Sequence, residues 1–151
     1  NVMNACQLLT QWSEQLNAFL LTLDQEFEAF KSNQAERIGE VAHLKSNQLD
    51  LLIQTEQALV ACSTTKPEAG NLADWLTSIC DQQTLVSRII NVTQDIQRNN
   101  QRNAMLLQNL MRLNEFGLSL LSGKIKTHDT YGASGQLSAT TPISSLTLAT
   151  A

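Results

Sequence analysis

The sequence predicts an all-α protein: an elongated antiparallel helical bundle, or coiled-coil hairpin, of three to four helices with a flexible C-terminal tail. Three observations lead there. Two prolines in a chain rich in Leu, Gln, Ala and Asn favour helix over strand. Apolar residues recur at steps of three and four, the period of one helical face. Between Leu85 and Leu121 these steps continue without a break, which makes a helix of roughly 55 Å, and a helix of that length needs long partners. The expected division is a bundle domain over residues 1–123 and a tail over 124–151.

The first helix is expected from about Asn4 to Phe30, where Ala5, Leu9, Trp12, Leu16, Phe19, Leu23 and Phe30 keep the stripe and Leu20 and Phe27 widen it. Asn33 followed by Glu36 has the spacing of a capping pair and would open a second helix over Gln34 to Ala61. One continuous helix is the alternative, since neither Gly nor Pro enforces a turn. The break is favoured because the second helix needs something to fold back on. Ile38, Val41, Ala42, Leu49, Leu52, Ile53 and Leu59 mark its buried side, interrupted by Lys45 and Gln48. Pro67 and Gly70 place a loop between Ser63 and Asn71.

Asn71 can cap a short third helix whose apolar face is Leu72, Trp75, Leu76 and Ile79. A bend near Asp81 to Thr84 explains why that stripe is one position out of phase with the next. The long helix follows, with a seam of Leu85, Ile89, Val92, Ile96, Asn99, Asn103, Leu106, Leu110, Leu113, Gly117 and Leu120, and Gly123 is placed to stop it. Beyond Asp129 the tail has no Asp, Glu, Lys or Arg and cannot build a core of its own, so mobility is expected. Thr141-Pro142 has the form of an N-cap and first helical residue. A short helix would form there once a partner receives Ile143 and Leu146; an unstructured end is the alternative.

Net charge is −4 with no basic cluster, so nucleic acid is not an expected partner. No apolar run reaches membrane-spanning length, and no stable membrane insertion is expected. Cys6, Cys62 and Cys80 are odd in number and widely spaced; the expectation is a reducing compartment, the cytoplasm, with buried or semi-buried thiols rather than a disulfide scaffold.

No catalytic, metal or cofactor site is expected. Glu40 and His43 form one Glu-x-x-His, but a di-iron bundle needs a second copy, and His128 is preceded three residues earlier by Ile125. Ser122-Gly123-Lys124 lacks a phosphate cradle's leading glycine, and Ser134 lacks the nucleophile-elbow spacing. The polar seam residues Asn99 and Asn103 suit two compatible readings: bonds to neighbouring helices, with Lys45 and Gln48 as candidate partners, and a loosening of the bundle so that a partner helix can exchange in.

The run Gln97-Arg98-Asn99-Asn100-Gln101-Arg102-Asn103-Ala104-Met105-Leu106-Leu107, then Thr130-Tyr131-Gly132-Ala133-Ser134-Gly135-Gln136 after the last helix, resembles the FlgN family of flagellar export chaperones. Glu26 through Leu52 is similar to that family's helix-turn-helix region. The resemblance implies a cytoplasmic chaperone without ATPase activity. It would bind the C-terminal helical ends of hook-associated (hook–filament junction) proteins and present them to the flagellar export gate. Asn100 and Asn103 match the helix motif; Tyr131, Gly135 and Gln136 match the element after it and would dock at the gate. Client binding is expected along Leu106, Leu110, Leu113 and Leu120, with Ile143, Leu146 and Leu148 of the tail. Without client the surface allows a homo-oligomer as well as a monomer, and the competing reading is a structural coiled coil that self-associates through the long helix.

Overall fold

The computed structural model describes residues 2–64 and 71–123. These form four helices, α1 (Val2–Ser32), α2 (Ala35–Cys62), α3 (Leu72–Ile79) and α4 (Gln83–Leu121), and no strand among the described residues. The predicted break between the first two helices is present, but Asn33 does not cap α2. It adopts a left-handed φ of 51° and its N–H donates to Phe30 O at 3.1 Å, closing α1 instead. Asn tolerates this conformation better than most side chains. Gln34 is the N-cap of α2 and makes no side-chain cap bond, and the same holds for Asn71 at α3.

α1 is the centre of the bundle. α2 packs along it, α4 packs along it, and those two scarcely touch one another. α1 takes the central place because its apolar arc is wide enough to serve two neighbours. Leu9, Trp12, Leu16, Phe19 and Leu23 are buried along it together with Ser13 and Thr22. α2 is served on one side alone, so its stripe is thinner than expected: Val41, Leu52 and Leu59 are buried, Ile38, Leu49 and Ile53 are half-buried, and Ala42 is exposed. From α4 the core takes Leu85, Val86, Ile89, Val92 and Ile96, while α3 inserts Leu72, Trp75, Leu76 and Ile79 at the base.

α2 returns antiparallel to α1, and the stretch containing α3 brings the chain back so that α4 runs parallel to α1. The cross-links show the register. Cys6 meets Cys80, Asp24 meets Asn99 and Arg102, and Glu26 meets Asn103, at sequence separations of 74, 75, 78 and 77. Ser32, the last residue of α1, therefore lies level with about Leu106–Leu110. α4 continues to Leu121, so roughly its last three turns, about 16 Å, extend past the end of α1. Gly123, at φ 66°, closes the helix as expected.

Cys6 and Cys80 form a disulfide, which overturns the expectation of unpaired thiols. Parallel packing of α1 and α4 brings the two together from distant places in the chain, and no local spacing marks such a pair. Cys62 is free, and it is exposed rather than buried.

Candidate functional site

Two features meet near the far end of α1. The first is a polar layer. Asn103, 2% exposed, donates from Nδ2 to Leu23 O at 2.7 Å and to Glu26 Oε2 at 2.9 Å. Lys45 Nζ, from α2, donates to both Glu26 oxygens at 3.0 Å. Glu26 thus joins α4, α1 and α2, and a carboxylate held by an ammonium and an amide is stable out of water where a lone one would not be. Asn103 is bonded as the sequence reading allowed, but to α1; Lys45 reaches it through Glu26, and Gln48 has no bond to either asparagine.

Outside this layer, Asn99 Nδ2 and Arg102 Nη2 both donate to Asp24 Oδ1 at 3.1 Å. The Arg102 guanidinium lies 4.0 Å over the Phe27 ring, so its charge is offset by a carboxylate and its flat face covers an aromatic one. Asn99, assigned to the seam, is half-buried at its edge. Asn100 is more deeply buried, at 8% exposure, and its Oδ1 has no partner among the described residues.

The second feature is the protruding end of α4. Leu113, Phe116, Leu118 and Leu120 are 62–67% exposed, and Leu121 is 87% exposed. Exposed apolar side chains in this density are unusual on a surface that stays in water. From Met105 to Leu121 the only charged residues are Arg112 and Glu115. At about 100° per residue the apolar positions divide into two stripes. Leu107, Leu110, Leu118 and Leu121 prolong the side that carries Asn103. Met105, Leu113, Phe116 and Leu120 form an outward stripe, turned from Asn103 by about 80° at Leu113 to about 160° at Met105.

Of the residues expected to receive a client, Leu106 and Leu110 are half-buried beside the end of α1, whereas Leu113 and Leu120 stand in solvent on the outward stripe. The four share one arc of about 80° on α4, partly sheltered at its lower end and open to solvent above. Met105, Phe116 and Leu118 were not singled out by the seam. Phe116 had a readable signal, since it lies three residues after Leu113 and four before Leu120. Ile143, Leu146, Leu148, Tyr131, Gly135 and Gln136 lie outside the described residues.

Among the described residues no group of three or more His, Cys, Asp or Glu could hold a metal ion, and no helix is long and apolar enough to cross a membrane. Neither the curated proteins nor the solved structures gave a match to the chain. The comparison with protein families did: residues 2–139 match the family described as FlgN protein. With nearly its whole length inside that match, the chain belongs to the FlgN family, the flagellar export chaperones.

Proposed function

We propose that this protein acts in the cytoplasm as an export chaperone for hook-associated proteins, holding their C-terminal helical segments unassembled and delivering them to the export gate. The observation that carries the reading is the protruding end of α4, which offers apolar stripes that no other described residue covers. An amphipathic client helix laid along it would add one more helix to the bundle. Leu106, Leu110, Leu113 and Leu120 contribute the contact, with Phe116 beside them; Ile143, Leu146 and Leu148 of the tail add to it. Tyr131, Gly135 and Gln136 belong to gate docking.

Burying the solvent-exposed two-thirds of Leu113, Phe116, Leu118 and Leu120 contributes about 4–8 kcal/mol gross. Ordering the client offsets much of that. These four side chains alone hold a client no tighter than about millimolar, so a complex tight enough to protect it draws the rest from Leu106, Leu110, Leu121 and the tail, and stays weak enough for the export machinery to strip it without nucleotide hydrolysis at the chaperone. This leaves no catalytic step for the protein to perform.

Mixing the purified protein with the C-terminal segment of a hook-associated protein is expected to give a one-to-one complex. Absence of any complex at about 50 μM would end this reading. The same uncovered stripes favour a second reading, self-association through α4. Light scattering against concentration separates the two, because a client surface gives a mixed complex at the expense of any homo-oligomer.

A further inference from the structure

We propose that Cys6 and Cys80 form a redox-responsive clip at the base of the bundle, closed and opened by exchange with low-molecular-weight thiols and disulfides of the glutathione class. The inference is independent of how the far end of α4 is used. Cys80 is the C-cap of α3 and sits at the turn into α4, while Cys6 is in the second turn of α1. Eight residues are too few for a helix to persist alone. α3 is therefore held by its apolar face, Leu72, Trp75, Leu76 and Ile79, and by this one covalent tie among the described residues.

Burial assigns the order of events. Cys80 is 2% exposed, whereas Cys6 is half-buried, so reagents enter at Cys6. In closing, the Cys6 thiolate attacks one sulfur of RS–SR; a Cys6–SR mixed disulfide forms and RS⁻ leaves. The Cys80 thiolate then attacks the Cys6 sulfur and expels the second RS⁻. The two cysteine protons end on the two RS⁻ groups. The protein dithiol has lost two electrons and RS–SR has become two RSH. Opening is the reverse, with RS⁻ attacking Cys6 and Cys80 leaving as thiolate. Closure ties residues 74 apart in sequence, so it removes much freedom from the unfolded chain. Cys62 is exposed and outside the pair, and it would react with the same reagents at its own site.

The test uses the full chain with Cys62→Ser, equilibrated with reduced and oxidised glutathione and read by alkylation and mass spectrometry. Two alkylatable thiols are expected at the reducing end and none at the oxidising end, joined by a two-electron transition. Cys80→Ser in that background should accumulate one glutathione on Cys6. Cys6→Ser should take it up at Cys80 at least about 10-fold more slowly. The closed form should melt at least about 5 °C above the open one, and α3 amides should exchange at least about 10-fold faster when open. The Cys6→Ser/Cys80→Ser variant should match the open form in both respects. Two thiols persisting at every glutathione ratio, faster uptake at Cys80 than at Cys6, or identical melting and exchange in the two states would overturn the proposal.

Discussion

Replacing Leu113, Phe116 and Leu120 together by Gln separates a docking surface from a structural one. These side chains are 66%, 63% and 62% exposed, so about a third of each is sheltered by the chain itself. Full burial of such a side chain contributes about 1.5–3 kcal/mol. The fold therefore stands to lose at most about 0.5–1 kcal/mol per site, and Gln, a good helix former, offsets part of that. Net destabilisation should stay near 1–2 kcal/mol. A partner that covers the stripe loses the other two-thirds, about 3–6 kcal/mol over three sites, which weakens binding by roughly 10²–10⁴-fold. Leu16→Ala provides the opposite control: Leu16 is fully buried in α1, and its truncation should cost about 2–5 kcal/mol. Titration calorimetry against the C-terminal segment of a hook-associated protein and urea unfolding read the two quantities separately. A dissociation constant within threefold of the parent's would remove the outward stripe from the site. A loss of more than about 4 kcal/mol in stability would show that the stripe belongs to the core after all.

The polar layer makes a second expectation. Asn103→Ala deletes its bonds to Leu23 O and Glu26 and should cost about 2–4 kcal/mol in urea unfolding. Its effect should not add to that of Lys45→Met, since both act through Glu26; strict additivity would dissolve the layer as a unit. Gly117→Ala should stabilise the free chain by about 0.5–1 kcal/mol, because a Cβ there meets open space, and a fall in melting temperature would reveal a close approach. Deleting residues 127–151 should leave the melting temperature within about 2 °C, since the core runs from Leu9 to Ile96, while client or gate binding weakens; a large loss of stability would make the tail part of the core. Tyr131→Ala is expected to impair gate docking more than client capture, and pull-downs in which both survive would remove it from the site.

Much of the fold was legible in residues that repeat. Leu9, Trp12, Leu16, Phe19 and Leu23 keep the α-helical period, and all are buried; the face of α3 was readable for the same reason. The alternation of four and three also holds along the packed part of α4, where Leu85, Ile89, Val92, Ile96 and Asn103 are buried. A straight α-helix drifts about 20° per heptad against that repeat. After four heptads the seam has turned by about 80°, so Leu113 lies to one side of the face that Asn103, Leu107 and Leu110 prolong; beyond the end of α1 both sides are exposed, Leu118 and Leu121 as much as Leu113 and Leu120. The Cys6–Cys80 bond and the Asn103–Glu26–Lys45 layer were not legible because each joins residues that only the parallel return of α4 brings together. Asn33 misled differently: its spacing to Glu36 suits a cap, but the left-handed turn after α1 has the stronger use for it.

The polar layer lies just below the point where α4 leaves the bundle, and this placement has a thermodynamic consequence. The continuous apolar cluster runs from the base up to Ile96, and Asn103 with Glu26 and Lys45 lies above it, with Ala29, Phe30 and Val41 buried beyond. The turns of α4 beyond Leu110 have no tertiary support from α1 and are shorter than the roughly 12–15 residues at which an isolated helix becomes marginal. They remain helical because they extend a helix already nucleated below. Their opening therefore costs little and does not propagate through the layer, where the half-buried Glu26–Lys45 pair and the Asn103 bonds would have to break. A partner helix laid on the protruding end stabilises these turns as it binds, so part of the contact energy goes into ordering the chaperone's own α4. Docking strength and fold stability then become separately adjustable properties of one helix, divided at Asn103.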